Sequence, residues 1–597
     1  MRVDSELNSS RGTHCTSDKD RPLVYDELVL PRIDRTCAAL LLALTALCAA
    51  PQLHGPIDAR ADGAVYYILG TSLAQGHGYR LLNEPGDIKA VQYPPLLPLA
   101  VAAHQRALGT SDFVVVGRWL RGSFFIVLLA LAGATYMLAR QFLAPRRALL
   151  AGAVSSASLS VWYFAGALYT EVPYGLLAVL FVICARKASQ TKYWVATAAI
   201  GAAAYLLRTA GIALLAAWIL DAFFHQAAEP SVASRWPSRQ RLTQAAARAA
   251  VALLPVLAWQ AYVSSVTSDP AYTQQQAYSY QRAPYQYSNV PYLQNLELVN
   301  PFVPEQGHMT AAKWASRISW NLVPVIPALG GAVTAQDGFW KLTLDTVNRL
   351  VRRDVLPASA SVVPMAGLGL LVIGGALVMV RQREWLVPFI CAATTALMCL
   401  TPWSEQFVRY FAPIIPFLSI MVVMCLGAVV DRADIRGAGW WARRAFAVGV
   451  VALIFTQDVF VAVWTFKSQR PKIYADAAGR QTEWLLSYYD ERATAVDEAL
   501  QQVRHRAKPG DVMATTMPHW AYLQTGVKSI LPPLVSDHDE ARRLLDAVPV
   551  RFVVLDEQAY LLFSQRYAAP AVQDAPLAWQ QVYRTANGLA SVYERVP

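Results

Sequence analysis

The chain has 597 residues, of which 55% are apolar and only 16% are charged. Soluble domains carry roughly 25% charged residues, so this composition excludes an ordinary soluble protein and predicts one that lies largely within a bilayer. The formal net charge of +11 does not indicate nucleic-acid binding, because Lys and Arg are concentrated in short connectors between apolar stretches and form no single basic face.

A polar N-terminal tail, residues 1–35, precedes eleven predicted membrane spans. A helix needs roughly 20 mostly apolar residues to cross the hydrocarbon, and each predicted span is an apolar stretch bounded by polar or helix-breaking residues. The predicted fold is an all-α polytopic membrane domain over residues 36–465. The eleven stretches are residues 36–53, 117–139, 149–168, 173–185, 194–207, 210–224, 249–265, 360–380, 385–402, 410–430 and 445–465.

Basic connectors between the spans predict the orientation of the chain. If the count is eleven, all six basic groups fall on one side, which the positive-inside rule identifies as cytoplasmic. The tail then lies in the cytoplasm of a multi-pass protein of the inner cell membrane, and residues 54–116, 266–359 and 466–597 lie outside. The groups are Arg32 and Arg35; Arg146 and Arg147; Arg186, Lys187 and Lys192; Arg235 to Arg248; Arg381 and Arg383; and Arg432 to Arg444.

The last outer segment, residues 466–597, differs from the spans in its residue pattern. Helical and strand patterns alternate there, which predicts a small α/β domain that rests on the outer surface of the membrane domain. This domain carries no phosphate-binding loop or catalytic signature. Its predicted elements are an amphipathic helix Ala493–Arg506, a strand Asp511–Thr516, a helix Asp537–Val548, a strand Arg551–Asp556 and paired strands around Asn587-Gly588.

The middle outer loop, residues 266–359, contains a half-apolar stretch, Ile318–Val333. Prolines interrupt it too often for a clear span, and an interfacial helix would explain the same pattern.

Two aspartates, Asp58 and Asp62, follow the first span closely. A carboxylate at the membrane interface stays ionised yet partly desolvated, which is the environment of a useful general base. Four residues separate the two, so both could share one helical face. The structural alternative is that they only cap a surface helix.

Glu171 and Arg208 occupy short outer turns between spans. Glu171 either serves the chemistry or only complements the dipole of a helix with Pro173 in its first turn. An arginine at membrane depth is expensive, and a lipid phosphate gripped by two hydrogen bonds would explain Arg208. The alternative is an arginine that snorkels to the headgroups.

Two further arginines have outer positions. Arg409 precedes the tenth span, where a salt bridge with Glu405 is the structural alternative to a functional role. Arg118, like Arg121, lies at the outer start of the second predicted span, and it either anchors in the headgroups or reaches a carrier phosphate.

In order along the chain, these residues resemble the GT-C class of membrane glycosyltransferases, in particular bacterial relatives of the protein O-mannosyltransferases and the lipid A aminoarabinose transferases. In that family an acid just past the first span is followed four positions on by a tyrosine, which Asp62 and Tyr66 match. A proline pair that opens a surface helix matches Pro94 and Pro95. Aminoarabinose transferases commonly have a lysine before this pair, where this chain has Tyr93.

The later residues continue the resemblance, which covers roughly residues 36–430. Glu171 matches a second acid, Arg208 a basic residue before a small-residue turn, and Arg409 with Tyr410 an arginine-tyrosine step before a proline-containing span. One position departs from the pattern: Gly63 follows Asp62 where protein mannosyltransferases tend to have a second acid.

The resemblance implies a hexosyl or pentosyl transferase that moves a monosaccharide from a polyprenyl-phosphate donor to an acceptor hydroxyl on the outer membrane face, by a single inverting displacement. Asp62 is then the base, Asp58 the alternative base, and Glu171 orients a substrate. The residues implied to bind donor phosphate are Arg208, Arg409 and Arg118, and those implied to bind substrate are Tyr66, Tyr93 and Tyr410.

The implied partners are the lipid-linked sugar, a lipid, glycan or protein acceptor, and membrane lipids, with no nucleic acid. No cofactor is required by this mechanism, and a divalent metal stays an alternative. The positions of the seven cysteines indicate neither a disulfide framework nor a zinc site. No metal ligand is predicted.

A transporter or lipid-carrier flippase is the main alternative, because it too needs many spans and embedded charges. Transporters place charges near the bilayer midplane, often at broken helices in repeated halves. Here the acids lie at outer span ends, no internal repeat is detected and the outer loops are large, which favours the enzyme. A catalytically inactive scaffold whose C-terminal domain binds an envelope partner is a third interpretation.

Overall fold

The structure is a computed structural model, and it describes residues 31–224, 239–273, 289–431, 438–476, 478–557 and 562–596. Most of the predicted N-terminal tail, the basic residue Arg235 and residues 274–288 of the middle outer loop lie outside the described residues.

The described chain is mostly helical, with its strands after residue 469. The helices are α1 Arg32–Ala49, α2 Asp62–Ala74, α3 Leu96–Leu108, α4 Phe113–Ala139, α5 Pro145–Ala157, α6 Leu159–Ala165, α7 Glu171–Ala185, α8 Thr191–Leu207, α9 Ile212–Phe224, α10 Arg239–Thr267, α11 Pro270–Thr273, α12 Tyr292–Leu296, α13 Ala311–Leu322, α14 Val325–Val333, α15 Asp337–Val351, α16 Val362–Arg381, α17 Leu386–Cys399, α18 Phe407–Phe411, α19 Ile415–Val430, α20 Ala438–Lys467, α21 Glu491–Arg506, α22 Pro518–Thr525, α23 His538–Ala547 and α24 Ala569–Gln573.

Six of these helical segments are long and apolar enough to cross a membrane, and the pair α5 and α6, bent by 60°, would make a seventh. The chain is therefore a multi-pass membrane protein. The six are Arg32–Gln52, Phe113–Ala139, Arg239–Thr267, Ala358–Arg381, Ser404–Val430 and Gly439–Lys467.

Every predicted span coincides with a helix or with the bent pair, but the count of eleven crossings stays a prediction. The helices α7, α8, α9 and α17 have only 13 to 17 residues. At about 1.5 Å per residue they extend over roughly 20–26 Å, which is less than a hydrocarbon core of roughly 30 Å.

Close backbone crossings hold the centre of the helical part together. A Cβ atom on Gly369 of α16 would lie 2.0 Å from the carbonyl oxygen of Ile326 in α14. On the other side of α16, a Cβ atom on Gly375 would lie 1.9 Å from the carbonyl oxygen of Met421 in α19. Glycine is required at both positions, because only a residue without a side chain lets the backbones come this close.

The stretch predicted as a doubtful span or an interfacial helix, Ile318–Val333, is divided between two helices with different environments. α13 ends within it and leaves Trp320 73% exposed, whereas α14 is mostly buried. The prolines that interrupt the apolar pattern lie between and within these helices, where Pro324 precedes the first residue of α14. The stretch is therefore not one continuous helix, because the chain turns at this proline.

The strands form a five-stranded sheet of order β4-β3-β5-β7-β6 and a separate antiparallel pair, β1-β2. In the larger sheet, β3 is parallel to both β4 and β5, whereas β7 is antiparallel to β5 and β6. These elements confirm the predicted helices, strands and hairpin of the C-terminal segment. The strands are β1 Arg470–Ala475, β2 Gln481–Leu486, β3 Val512–Ala514, β4 Lys528–Ile530, β5 Val550–Asp556, β6 Trp579–Arg584 and β7 Ala590–Arg595.

Residues 470–596, here called the C-terminal region, lie against the first outer loop. Lys528 and Ser529 of β4, an edge strand, contact the loop. The backbone N–H of Ser529 donates to the carbonyl oxygen of Asn83 at 2.7 Å, and the Asn83 side chain donates back to the Ser529 carbonyl oxygen at 3.0 Å. The loop thus covers part of an otherwise unpaired strand edge. Asn83 is fully buried in this contact.

Candidate active site

The first acid of the site, Asp62, is the first residue of α2. The Tyr93 hydroxyl donates to Asp62 Oδ1 at 3.2 Å, and the Tyr93 ring meets the Tyr66 ring edge-on at 5.2 Å between centroids. Tyr93 directly precedes the proline pair that opens α3, as the sequence predicts. The Asp62 side chain is 28% exposed, so it can meet a substrate that comes from outside the protein.

The second acid, Glu171, is the first residue of α7 and is only 1% exposed. Arg208 Nη1 lies 2.8 Å from Glu171 Oε1, and Arg409 Nε donates to the same oxygen at 2.9 Å. Arg409 Nη2 also forms an ion pair with Asp62 Oδ2. Arg409 therefore bridges the two acids and does not form the alternative pair with Glu405 among the described ion pairs.

Local backbone geometry places Arg208 at this point. α8 ends at Leu207, Arg208 is extended, and a single 3₁₀ turn, Thr209–Gly211, leads into α9. A Cβ atom on Gly211 would lie 2.6 Å from the backbone nitrogen of Tyr205, so this tight turn requires glycine. Arg208 also donates to the Thr170 hydroxyl at 3.1 Å, which fixes the guanidinium beside α7.

Aromatic rings line the guanidinium groups. Arg208 lies over the Tyr410 ring at 5.9 Å, and Arg409 lies over the Tyr169 ring at 4.8 Å. Burial raises the pKa of Tyr66, and the nearby carboxylates of Asp62 and Glu171 raise it further. Tyr66 therefore stays protonated at neutral pH and can act as a hydrogen-bond donor rather than as a base.

The structure does not bring Asp58 into this cluster. Its backbone pairs with the turn before α7, where Asp58 N donates to the Gly166 carbonyl oxygen at 3.0 Å and Leu168 N donates to Asp58 O at 2.8 Å. Its carboxylate accepts from Arg60 Nε at 3.0 Å. Burial alone would raise the pKa of Asp58, but the charge and hydrogen bonds of Arg60 bring it below its usual value.

The prediction that Asp58 and Asp62 share a helical face is wrong. α2 begins at Asp62, and the backbone pairing of Asp58 with residues 166–168 keeps it in extended chain ahead of the helix.

Arg118 is also placed elsewhere. Its guanidinium lies over the Trp484 ring of β2 at 5.0 Å, and its side chain is exposed at the start of α4. One turn further along, Arg121 is buried and donates to the carbonyl oxygen of Pro56 at 3.1 Å. Both arginines therefore contact the protein around the first loop and do not join the two acids.

Two tyrosines of the site were not among the predicted residues. Tyr169 lies beneath Arg409, and Tyr292 of α12 interacts electrostatically with Arg208, Arg409 and Asp62. Tyr169 stands two residues before Glu171, so its proximity to that acid was the available signal. Tyr292 lies in the middle outer loop, and only the folded chain brings that loop to the site.

His519 of the C-terminal region lies close enough to Asp62 to interact with its charge. Its helix, α22, packs against α2, and Trp520 and Ala521 share an apolar cluster with Ala64. Burial lowers the pKa of His519 to about 4, although the negative charge of Asp62 opposes that shift. His519 is therefore neutral at physiological pH. No sequence pattern marks this residue, because only tertiary packing brings α22 to the site.

No protein-family model matches the chain, and no curated protein matches it significantly. Among solved structures, the crystal structure of the Archaeoglobus fulgidus oligosaccharyltransferase tethered to an acceptor peptide has a TM-score of 0.52 and 12% identity, over 94% of this chain and 74% of that one. The structure of the same protein with Zn and sulfate has a TM-score of 0.51 and 13% identity, over 94% and 73%. ArnT from Cupriavidus metallidurans bound to undecaprenyl phosphate has a TM-score of 0.49 and 14% identity, over 94% and 98%.

The fold is that of a GT-C glycosyltransferase. This confirms the predicted resemblance at the level of the fold. The GT-C fold accounts for a mostly helical membrane protein with a small sheet region at its C-terminal end.

The described residues of this GT-C fold do not fit a divalent metal at the site. No group of three or more His, Cys, Asp or Glu side chains converges anywhere in the described ranges. Asp62 and Glu171 both face guanidinium groups instead, and a dication there would meet the positive charge of two arginines.

Proposed function

We propose that the protein transfers a monosaccharide from a polyprenyl-phosphate donor to an acceptor hydroxyl on the outer face of the membrane, by a single inverting displacement. The observation that carries the proposal is the cluster in which Arg409 joins Asp62 to Glu171 while Arg208 pairs with the same glutamate oxygen. Two carboxylates and two guanidinium groups from four separate parts of the chain meet at helix ends. The orientation that puts these ends outside follows from the basic connectors.

The two arginines suit a lipid phosphate that changes charge during the reaction. A polyprenyl-phosphate sugar is a phosphodiester with one negative charge, and the departing polyprenyl phosphate gains a second. Arg208 is 20% exposed and Arg409 28% exposed, so both guanidinium groups can reach a ligand. Fixed positive charge aimed at the oxygen where charge develops stabilises the transition state more than the ground state.

Exposure separates the roles of the two acids. Glu171 is 1% exposed and shares one oxygen with two guanidinium groups, whereas Asp62 is 28% exposed and pairs with one. We therefore assign the base to Asp62. The acceptor oxygen attacks the anomeric carbon, its proton passes to Asp62, and the bond from the anomeric carbon to phosphate oxygen breaks with its electron pair on that oxygen.

Glu171 would hold the sugar. Its second oxygen, Oε2, is buried and has no hydrogen-bond partner among the described residues. A buried acceptor without a partner costs roughly 1–3 kcal/mol, and a sugar hydroxyl that donates to it would remove that cost. This role agrees with the orienting function that the resemblance implies for the second acid.

Replacement of the base tests the proposal. In purified protein supplied with a panel of polyprenyl-phosphate hexoses and pentoses and an envelope extract as acceptor, Asp62→Asn should slow the release of polyprenyl phosphate by roughly 10²–10⁴-fold. Donor binding should survive, because an amide nearly matches the shape of the carboxylate but cannot take the proton. The matched control is Glu405→Gln, which alters an exposed acid close to Arg409 in sequence but outside the cluster, and it should retain the parent rate.

The proposal fails if the parent protein releases no polyprenyl phosphate from any donor of the panel. If Asp62→Asn keeps the parent rate while Glu405→Gln loses it, the base has been assigned to the wrong residue.

A further inference from the structure

Arg60 connects the first outer loop to the C-terminal region. Its Nη1 donates to the carbonyl oxygen of Tyr488 at 3.0 Å, and its Nη2 donates to that of Ser487 at 2.9 Å. These two carbonyls lie between β2 and α21. The Asp58 carboxylate accepts from the same guanidinium at 3.0 Å and, through its second oxygen, at 2.5 Å. All donor atoms of the Arg60 side chain thus have partners that fix its direction.

The carbonyl group of Arg60 is held as well. The Tyr169 hydroxyl donates to it at 3.4 Å, and the Tyr169 ring lies beneath Arg409. Arg60 is therefore fixed by the C-terminal region, by Asp58 and by a residue that packs against the acid–arginine cluster.

The next residue, Ala61, has a strained backbone. Its φ is +54° and its ψ is −124°, a combination that matches the first central position of a type II′ turn, where glycine is preferred. An alanine keeps such a conformation only when its surroundings enforce it. Ala61 itself is exposed, so its own side chain does not supply that constraint. The constraint comes from Arg60 on one side and from the start of α2 at Asp62 on the other.

We propose that Arg60 is a positioning residue through which the docked C-terminal region holds Ala61 in its strained conformation and thereby sets the position of Asp62. The role of Asp62 rests on the function proposed above. When Arg60 loses the two carbonyls, Ala61 can relax toward negative φ, and the first turn of α2 moves with it. Asp62 then leaves its place beside Arg409 and Tyr93.

This proposal predicts an unusual rescue. Asp58→Asn/Arg60→Gln removes both members of the buried ion pair, so that neither charge is left alone. In that variant the amides of residues 61–64 should exchange hydrogen faster than in the parent protein, and release of polyprenyl phosphate should slow by roughly 10- to 100-fold. Binding of polyprenyl phosphate should be unchanged, because Arg208 and Arg409 are untouched.

Addition of Ala61→Gly to this variant should restore both slow exchange and rapid release. Glycine adopts the observed backbone conformation without the strain that alanine carries there, so Asp62 can return to its place although Arg60 is missing. A role of Arg60 in general stability would not produce this recovery. Ala61→Gly alone controls for the effect of the glycine, and if the double variant does not fold, Arg60→Lys with and without Ala61→Gly provides the same comparison.

The proposal is overturned if the triple variant exchanges as fast and reacts as slowly as the double variant, if the double variant behaves like the parent, or if it loses polyprenyl phosphate binding. Hydrogen exchange shows whether Arg60 holds Ala61 in its conformation even if the parent protein transfers no sugar. Failure of the proposed function is therefore distinguishable from failure of the positioning role of Arg60.

Discussion

Arg409 contacts both acids of the candidate site, and the two acids differ in their other partners and in their exposure to solvent. The Glu171 carboxylate lies between two guanidinium groups and away from solvent, so protonation there would break two ion pairs at once. Asp62 has one such pair and a phenol as its second partner. At the scale of single residues, the asymmetry between the two acids follows from their partners and exposure rather than from their chemical type.

Arg208 and Arg118 are both predicted from the sequence to bind donor phosphate, and the structure separates them. Arg208→Ala should weaken binding of polyprenyl phosphate by about 1.5–3 kcal/mol, which is roughly 10- to 150-fold, because it removes a charged donor from the cluster. Arg118→Ala should have a much smaller effect, since Arg118 stacks on Trp484. Equilibrium binding of polyprenyl phosphate to both purified variants measures the difference. Equal losses would show that the phosphate lies nearer the first loop than the acid–arginine cluster does.

The helices of the central packing unit are held by backbone contact rather than by large side chains. α16 lies between α14 and α19, and it meets both at glycines. In a bilayer, small residues at helix crossings strengthen packing because lipid tails are as apolar as the side chains that they replace. α14 has only nine residues and is too short to cross the membrane, so its position depends on packing against neighbouring helices such as α16.

Two glycines of α16 provide a matched test at the scale of the element. Gly369→Ala should lower the thermal unfolding temperature of the purified protein, because its Cβ atom would overlap the Ile326 carbonyl group and overpacking costs roughly 1–3 kcal/mol. Gly367→Ala should leave the temperature unchanged or raise it. Gly367 has no atom within 4 Å of an added Cβ, and alanine favours a helix over glycine by about 1 kcal/mol. A similar loss for both variants would mean that the crossing does not stabilise the fold.

The sequence predicted best those helices and strands whose residue pattern or apolar length is distinctive without knowledge of their neighbours. Apolar stretches predicted where the helices of the membrane part lie, and the alternation of helical and strand patterns in the C-terminal segment accompanied the prediction of strands such as Arg551–Asp556. The break at Ser158 was missed. There the Ser158 hydroxyl donates to the Ala332 carbonyl oxygen of α14 at 2.9 Å, a tertiary contact that an apolar run does not reveal.

At the site, the sequence identified the charged residues but not all their partners. Asp62, Glu171, Arg208 and Arg409 stand out because they match the charged residues of the GT-C pattern in order along the chain, and the structure brings them together. Arg60 carried no such signal. Its partners in the C-terminal region lie 427 and 428 positions away. Only the folded molecule shows that they hold Arg60, which is the residue next to the strained Ala61.

The whole molecule joins a membrane-embedded helical part to a C-terminal region that contacts the first outer loop at several places. Two of these contacts are β4 with Asn83 and the pair of carbonyls at Arg60. The candidate site lies between them in sequence, at Asp62. The C-terminal region also packs α22, which carries His519, against α2, whose first residue is Asp62.

The central claim is that the protein consumes a polyprenyl-phosphate sugar, and mass spectrometry of membrane lipids tests it most directly. Cells that lack the protein should accumulate a polyprenyl-phosphate monosaccharide. Re-expression of the parent chain should clear that lipid, whereas equal amounts of Asp62→Asn should not, because the variant binds the donor without transferring its sugar. An unchanged pool of polyprenyl-phosphate sugars in cells without the protein, or complete clearance by Asp62→Asn, would contradict the account.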